Sequence, residues 1–322
     1  MIRKSQLFLA VAALAGMNVA MAACNTTQWG QGTPPGGAVA GTPLADGPVN
    51  SDGNAALTAR YSGKCGLSAN AAGDFVQDGL PSAEPSYISR FYVLPNNTGE
   101  ATVMQAMADE ATDYAVFKIT FDATASAFKF YGSNGTGGFG TPVSVTTVNG
   151  APIVVNRWYM IETDYKRNSG TSGGTMAISV IGNRGLGNYT STTVSTANLA
   201  AGSMVLADAG DGVDYVQLGW VGGGAGSLVT VDAFESRRST AIGSLKRGDV
   251  NNNGSCTSGD VTQLLQEINA ITANIEAGLK LGQSDCSENG TVTSGDATCL
   301  LNLVNADTAS GGTRVCGQPA TP

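Results

Sequence analysis

The sequence predicts a mainly β protein in which a β-sandwich of the jelly-roll kind is followed by a small α-helical domain, and three observations carry that expectation. Between residues 55 and 240, short runs of alternating apolar and polar residues recur, separated by Gly, Asn and Ser clusters, as in strands that bury one face. After residue 242 the apolar spacing becomes helical. A polar, glycine-containing loop at 248–260, "GDVNNNGSCTSGD", returns thirty-six positions later at 284–296 as "SDCSENGTVTSGD".

At the N-terminus, "MIRK" precedes the apolar run "LFLAVAALAGMNVAMA". A charged start, an apolar stretch and the A-x-A pair Ala20 and Ala22 make residues 1–23 a secretory signal peptide. Cys24, directly after "MAA", leaves lipidation open beside free secretion. No later apolar run approaches the roughly 20 residues that cross a bilayer. The expected chain is therefore exported, without a transmembrane anchor, to the medium, periplasm or cell surface.

Loss of Arg3 and Lys4 with the signal leaves 15 basic against 25 acidic residues, a net charge of −10. Nucleic acid is excluded as a partner, since phosphate binding requires clustered Lys and Arg. The chain has no histidine, which removes His-based triads and His zinc sites together. Six cysteines in an exported chain imply disulfides. Cys24 and Cys65 are expected to pair, and Cys256, Cys286, Cys299 and Cys316 leave three pairings open.

Residues 24–54, rich in Gly and Pro, read as irregular. The sandwich then builds from "YISRFYVLP", "AVFKITFD", "AFKFYGS", "PVSVTTV", "RWYMIETDYKR", "TMAISVIGN", "DYVQLGWVG" and "SLVTVDAFESRR". In "AVFKITFD", Phe117, Ile119 and Phe121 share one face and Lys118, Thr120 and Asp122 the other. Trp158, Tyr159, Phe91, Phe117 and Phe121 are the expected core. Beyond it, Val261, Leu264, Leu265, Ile268 and Ile271 fall at helical spacing, and Ala297, Leu300, Leu301 and Val304 repeat the first four at the same offset as the loops. The Leu264, Leu265 and Ile268 face is expected to dock on Leu300, Leu301 and Val304.

The two loops match what a calcium ion requires: oxygens at positions 1, 3, 5, 7, 9 and 12 of a twelve-residue loop, with Gly at 6. The first supplies Asp249, Asn251, Asn253, the Ser255 carbonyl, Thr257 and Asp260 around Gly254. The second supplies Asp285, Ser287, Asn289, the Thr291 carbonyl, Thr293 and Asp296 around Gly290. A capped polar turn before a helix would use similar residues, but two copies in register, each with its apolar helix, favour metal. Each loop carries only two formal charges, which suggests a dissociation constant on the order of 10⁻⁴ M.

These loops, each followed by its helix and closed by Asp at position 12, resemble a type I dockerin over about residues 248–307. The resemblance implies two EF-hand-like sites for two Ca²⁺ ions and a cohesin-like partner. Partner choice would fall on positions 10 and 11, here Ser258, Gly259, Ser294 and Gly295. The four cysteines depart from the pattern. Upstream, "RWYMIETDYKRNSGTSGGTMAISVIGN" resembles the laminin G and concanavalin-like jelly rolls, which supports fold more than function. The expected organisation is a signal at 1–23, an irregular segment at 24–54, the sandwich at 55–240 and the calcium-binding module at 245–317.

Catalysis by a jelly-roll glycosidase requires two flanking carboxyl groups. Glu162 and Asp164 supply part of the pattern of the jelly-roll laminarinases that this fold resembles, but Lys166 and Arg167 stand where its last acid belongs. Hydrolase elbows and phosphate loops are missing too. Polysaccharide binding by aromatic faces points to Tyr131, Phe139, Tyr189 and Trp220, and Asp208, Asp211 and Asp214 form an acidic loop that fits no twelve-residue template. The expected protein is a non-catalytic, calcium-dependent docking and carbohydrate-binding protein. A divergent glycoside hydrolase and a structural surface protein stabilised by calcium remain the alternatives.

Overall fold

The computed structural model describes residues 42–44, 61, 66–79, 81–108, 114–133, 138–148, 151–167, 174–184, 190–197, 212–245, 248–251, 253, 255–269, 281–284, 286 and 292–310. The signal peptide, nearly all of the irregular segment and the Cys24–Cys65 pairing lie outside them. No helix among the described residues is long and apolar enough to cross a membrane.

Among the described residues thirteen strands come first: β1 (Thr42–Leu44), β2 (Gly66–Ala69), β3 (Asp74–Asp78), β4 (Ser86–Ala108), β5 (Tyr114–Asp122), β6 (Ala127–Gly132), β7 (Val143–Val145), β8 (Thr147–Val148), β9 (Ala151–Pro152), β10 (Trp158–Arg167), β11 (Gly174–Arg184), β12 (Thr190–Ala197) and β13 (Tyr215–Arg237). Three described helices follow, α1 (Ser258–Asn269), α2 (Leu281–Ser284) and α3 (Ser294–Ser310). The protein is thus mainly β with a C-terminal helical region, as the sequence implies.

Two 23-residue strands, β4 and β13, organise the sandwich. Their paired halves take part in both layers: β1-β2-β13-β4-β10-β11-β12 in one, and β3-β13-β4-β5-β6-β7 in the other. Sequence alternation reads "DYVQLGWVG" and "SLVTVDAFESRR" as separate strands and ends the strand before them at "VLP". Both breaks are instead bulges, with register shifts between Leu218 and Gly222, Gly223 and Ala225, and Gly226 and Leu228. Extra residues at a bulge bend a strand while its ladder continues, so the glycines that signal a turn here carry the chain between layers.

Gly223 has φ +68°, and a Cβ there would lie 2.8 Å from the Glu100 carbonyl oxygen on β4. Gly223→Ala should lower stability by about 1–2 kcal/mol from left-handed backbone strain alone, and by more from the clash. The urea midpoint measures this; an unchanged midpoint would show that the bend does not need glycine.

Inward residues of both layers merge in one core containing Phe91, Phe117, Ile119, Phe121, Phe128, Tyr159 and Ile161. Trp158 departs from expectation. It is buried, but on the opposite face of β10 from Tyr159, in a second apolar cluster with Tyr61, Tyr92, Leu94 and Met160. That cluster is completed by Val250, Val261, Leu264, Cys286, Val292, Ala297 and Leu300 of the helical region. The helical module therefore sits on the outer face of the first layer.

Polar contacts fix the join. Leu245 N–H donates to the Tyr92 hydroxyl at 2.8 Å, Gly243 N–H to Glu162 at 2.5 Å, and Arg90 to the Gly243 carbonyl at 3.4 Å. Tyr61 stacks on Tyr92 with centroids 3.8 Å apart, and its N–H donates to Asp232 at 2.6 Å.

Candidate functional site

The first loop is shaped by side-chain oxygens that turn the backbone. Asn253 N–H donates to Asp249 Oδ1 at 2.8 Å and to Asn251 Oδ1 at 3.0 Å, and Ser255 N–H donates to Asn253 Oδ1 at 2.9 Å. Asp260 opens α1 as a cap. Its carboxylate accepts from Asn251 N–H at 3.2 Å, Thr257 N–H at 2.8 Å and the Thr257 hydroxyl at 3.0 Å.

Asp249 and Asp260 are both buried. Two carboxylates removed from water in one short loop are costly unless a cation or hydrogen bonds compensate them. The remaining candidate donors are amide, hydroxyl and carbonyl oxygens, which suit a hard cation such as calcium. Among the described residues no three His, Cys, Asp or Glu side chains converge, in keeping with two formal charges per loop. The residues present thus fit an oxygen-coordinated calcium ion.

The second loop repeats the cap: Thr293 N–H and hydroxyl reach Asp296 Oδ2 at 2.8 and 3.2 Å, and Asp296 is buried. Asp285, Ser287, Asn289 and Thr291 lie outside the described residues. The apolar slots recur as well. Val250 matches Cys286, Val261 matches Ala297, and Leu264 matches Leu300, all buried. Gln283 ties the copies together, its carbonyl accepting from Gly248 N–H at 2.8 Å and its Nε2 donating to the Asp249 carbonyl at 2.9 Å.

Leu265 and Leu301 correct the expected helix contact, for they are 41% and 42% exposed. The buried stripe is narrower because the sheet, not only the facing helix, fills one side. Ser258, Gly259, Thr262 and Leu265 on α1 and Ser294, Gly295, Thr298 and Leu301 on α3 are all exposed. The module thus presents the same residue pattern twice. Cys286 and Cys299 form a disulfide that ties the second loop to α3, and Cys256 is also disulfide-bonded. Cys316 lies outside the described residues.

Of the aromatic sugar-binding candidates, Trp220 is overturned. It is 2% exposed, in the core beside Leu218, with its Nε1 donating to the Gly223 carbonyl at 2.7 Å. Residues 216, 218 and 220 share a face of β13, and that face points inward. Tyr189 lies outside the described residues.

Tyr131 and Phe139 are brought together, half-buried, with centroids 5.9 Å apart. Around them lies a set of polar groups that the sequence reading did not select. Tyr131 donates to Glu100 at 2.6 Å, and Lys129 bridges Glu100 and Asp122 at 2.8 and 2.7 Å. Burial would raise the Glu100 pKa, but hydrogen bonds from Lys129, Tyr131 and Thr120 outweigh it and hold the carboxyl below its usual range. Burial, then Glu100, pushes the Tyr131 hydroxyl up to about 12. The available signal was the polar side of "AVFKITFD", whose meaning depends on cross-strand register.

Glu162 and Asp164 each have a structural partner. Glu162 accepts from the linker at Gly243, and Asp164 pairs with Lys166 at 2.8 Å. Asp208 and Asp211 lie outside the described residues, while Asp214 accepts from Ala83 N–H at 2.7 Å.

Two helices, each opened by a Thr–Asp cap, present the same exposed residue pattern. Residues 247–305 match the family model of the dockerin type I domain. No curated protein matches the chain. Solved structures similar in part are a Trypanosoma rangeli sialidase (14% identity, 54% of this chain and 26% of that chain, TM-score 0.35), an endo-β-1,4-glucuronan lyase from Trichoderma reesei (12%, 56% and 83%, 0.36) and the receptor-binding domain of botulinum neurotoxin D (8%, 64% and 45%, 0.35). The chain thus spans about a quarter of the sialidase's length. These likenesses are too distant to carry an argument.

Proposed function

We propose that this is an exported, non-catalytic protein whose helical module, at 245–317, binds two calcium ions and docks a cohesin-like partner, while its sandwich, at 55–240, binds a carbohydrate. The observation that carries the docking reading is the repeated exposed pattern of Ser258, Gly259 and Leu265 with Ser294, Gly295 and Leu301, within the segment that matches the dockerin model. Asp249, Asn251, Asn253, Ser255, Thr257 and Asp260 would hold one ion. Asp285, Ser287, Asn289, Thr291, Thr293 and Asp296 would hold the other.

Binding to a cohesin panel with calcium or with chelator tests the docking reading; capture that ignores chelation, or no capture, would overturn it. Substitution of Ser258 and Ser294 together by Asp should weaken binding by more than about tenfold, or about 1.4 kcal/mol. Either change alone should stay within about twofold, because a repeated surface can engage through its intact half. Equal loss from one substitution would contradict this.

The non-catalytic reading rests on the placement of Glu162 and Asp164, both committed to structural contacts. Release of reducing sugar that Glu162→Gln abolishes would turn the protein into a glycosidase. Tyr131 and Phe139 support carbohydrate binding, since adjacent half-buried rings offer a sugar the apolar surface that the Lys118 ammonium leaves open.

A further inference from the structure

The outer face of the second layer, turned away from the helical module, carries a straight polar row across five strands. Gln77 on β3 pairs in register with Gln217 on β13, Gln217 with Gln105 on β4, Gln105 with Lys118 on β5, and Lys118 with Tyr131 on β6. The amides are chained. Gln105 Nε2 donates to Gln217 Oε1 at 2.6 Å, and Gln217 Nε2 donates to Gln77 Oε1 at 3.0 Å. Gln77 Nε2, at the end, is buried and has no hydrogen-bond partner among the described residues.

At the other end, the Lys118 ammonium lies 4.7 Å from the Tyr131 ring centroid and 4.3 Å from that of Phe139. The neighbouring carboxylates of Glu100 and Asp122 are bridged by Lys129. Lys118 itself makes no ion pair among the described residues. Gln77 is closed to solvent, so the reachable part of the row is Gln217, Gln105 and Lys118, all half-buried, ending in an ammonium held by aromatic faces. Two inter-strand spacings, about 10 Å, separate Gln217 from Lys118.

We propose that this row binds an anionic polysaccharide, with Lys118 pairing to an acid group on the chain and the half-buried amides of Gln105 and Gln217 hydrogen-bonding along it. The proposal rests on the carbohydrate-binding reading and names its ligand class. Charge decides between neutral and acidic chains. Glu100 acts on Lys118 only at a distance, and a half-buried cation with no direct ion pair gains from an incoming anion, because the charge-assisted bond forms where water is already partly excluded. Burial also lowers the Lys118 pKa, a cost that a bound anion would offset. The rings hold the ammonium by its stem and by cation–π attraction, leaving its N–H donors for the ligand.

The test uses the full-length protein and isothermal titration with polygalacturonate, the same polymer after carboxyl reduction, and dextran sulfate. Polygalacturonate should bind, weaken with added salt, and lose at least about tenfold in affinity on carboxyl reduction, about 1.4 kcal/mol. Lys118→Met should cause a similar loss, Lys118→Arg should retain binding, and Lys166→Met should have no effect. Binding of dextran sulfate as well would assign the site to acid groups in general; its failure would assign it to uronate carboxylates. Equal binding of the reduced polymer overturns the acidic-ligand inference while leaving carbohydrate binding intact. No binding to any of these, or to a panel of neutral glycans, overturns both. The comparison of native with reduced polymer uses the unaltered protein and holds whether or not a variant folds.

Discussion

Chelation of calcium from the full-length protein should lower its helical circular dichroism and shift the fluorescence of Trp158 to the red, and restored calcium should reverse both. Three carboxylates, those of Asp249, Asp260 and Asp296, are buried in the loops, where without a cation their desolvation and mutual repulsion favour opening to water. Helix α1 has only 12 residues, too few to be stable alone in water. Its stability comes from Leu264 and Val261 packed beside Leu300 and on Tyr92, Trp158 and Met160. Metal binding would then be folding energy, and it would reach the sheet because Val250, one residue after the candidate ligand Asp249, lies in the same cluster.

The paired change Asp260→Ala and Asp296→Ala should give the chelated spectrum at any calcium concentration. The loss should grow under reducing conditions, because the Cys286–Cys299 bridge closes a loop 13 residues long, and a bridge over about 15 residues contributes about 3 kcal/mol. Trp158→Phe should remove the fluorescence change, separating it from Trp29 and Trp220. Helicity and emission that ignore chelator in the reduced protein would end the calcium reading. Helicity that responds while Trp158 does not would end the coupling to the sheet.

The second large effect is expected from Trp158→Ala. Replacement of a buried large aromatic residue by Ala costs about 3–5 kcal/mol. Trp158 faces Tyr61 at a centroid distance of 5.4 Å and packs under the helical module, while Tyr159 and Ile161 hold the sandwich core from the other face of β10. The loss should therefore fall on the seat. In urea with saturating calcium, helical signal should disappear well before β signal in the variant, whereas Phe117→Ala should lower the sandwich transition. Coincident and unshifted transitions for Trp158→Ala would show that the module does not depend on the sheet.

Much of this was legible from residues alone. Alternation in "AVFKITFD" placed Phe117, Ile119 and Phe121 in the core, and the 36-residue repeat placed both helices, their Asp caps and both exposed Ser-Gly pairs. Period-2 and helical patterns are local consequences of burial on one side, so a single chain displays them. The candidate loop oxygens are local as well, because one twelve-residue turn would contribute them all. Leu265 and Leu301 were misplaced because helical spacing identifies an apolar stripe without stating how many neighbours cover it.

The sequence by itself determined that the chain is a β-sandwich with a duplicated calcium-type loop and helix, since both depend on contacts among near neighbours. Only the tertiary structure decided that β4 and β13 bend through both layers, that Trp158 joins the second apolar cluster while Trp220 lies in the sandwich core, and that the helical module rests on the sheet. It alone aligned Gln77, Gln217, Gln105, Lys118 and Tyr131 in one row. Those facts depend on register between strands far apart in the chain. A one-residue slip reverses every face, and bulges in β13 supply such slips where the sequence shows only glycines.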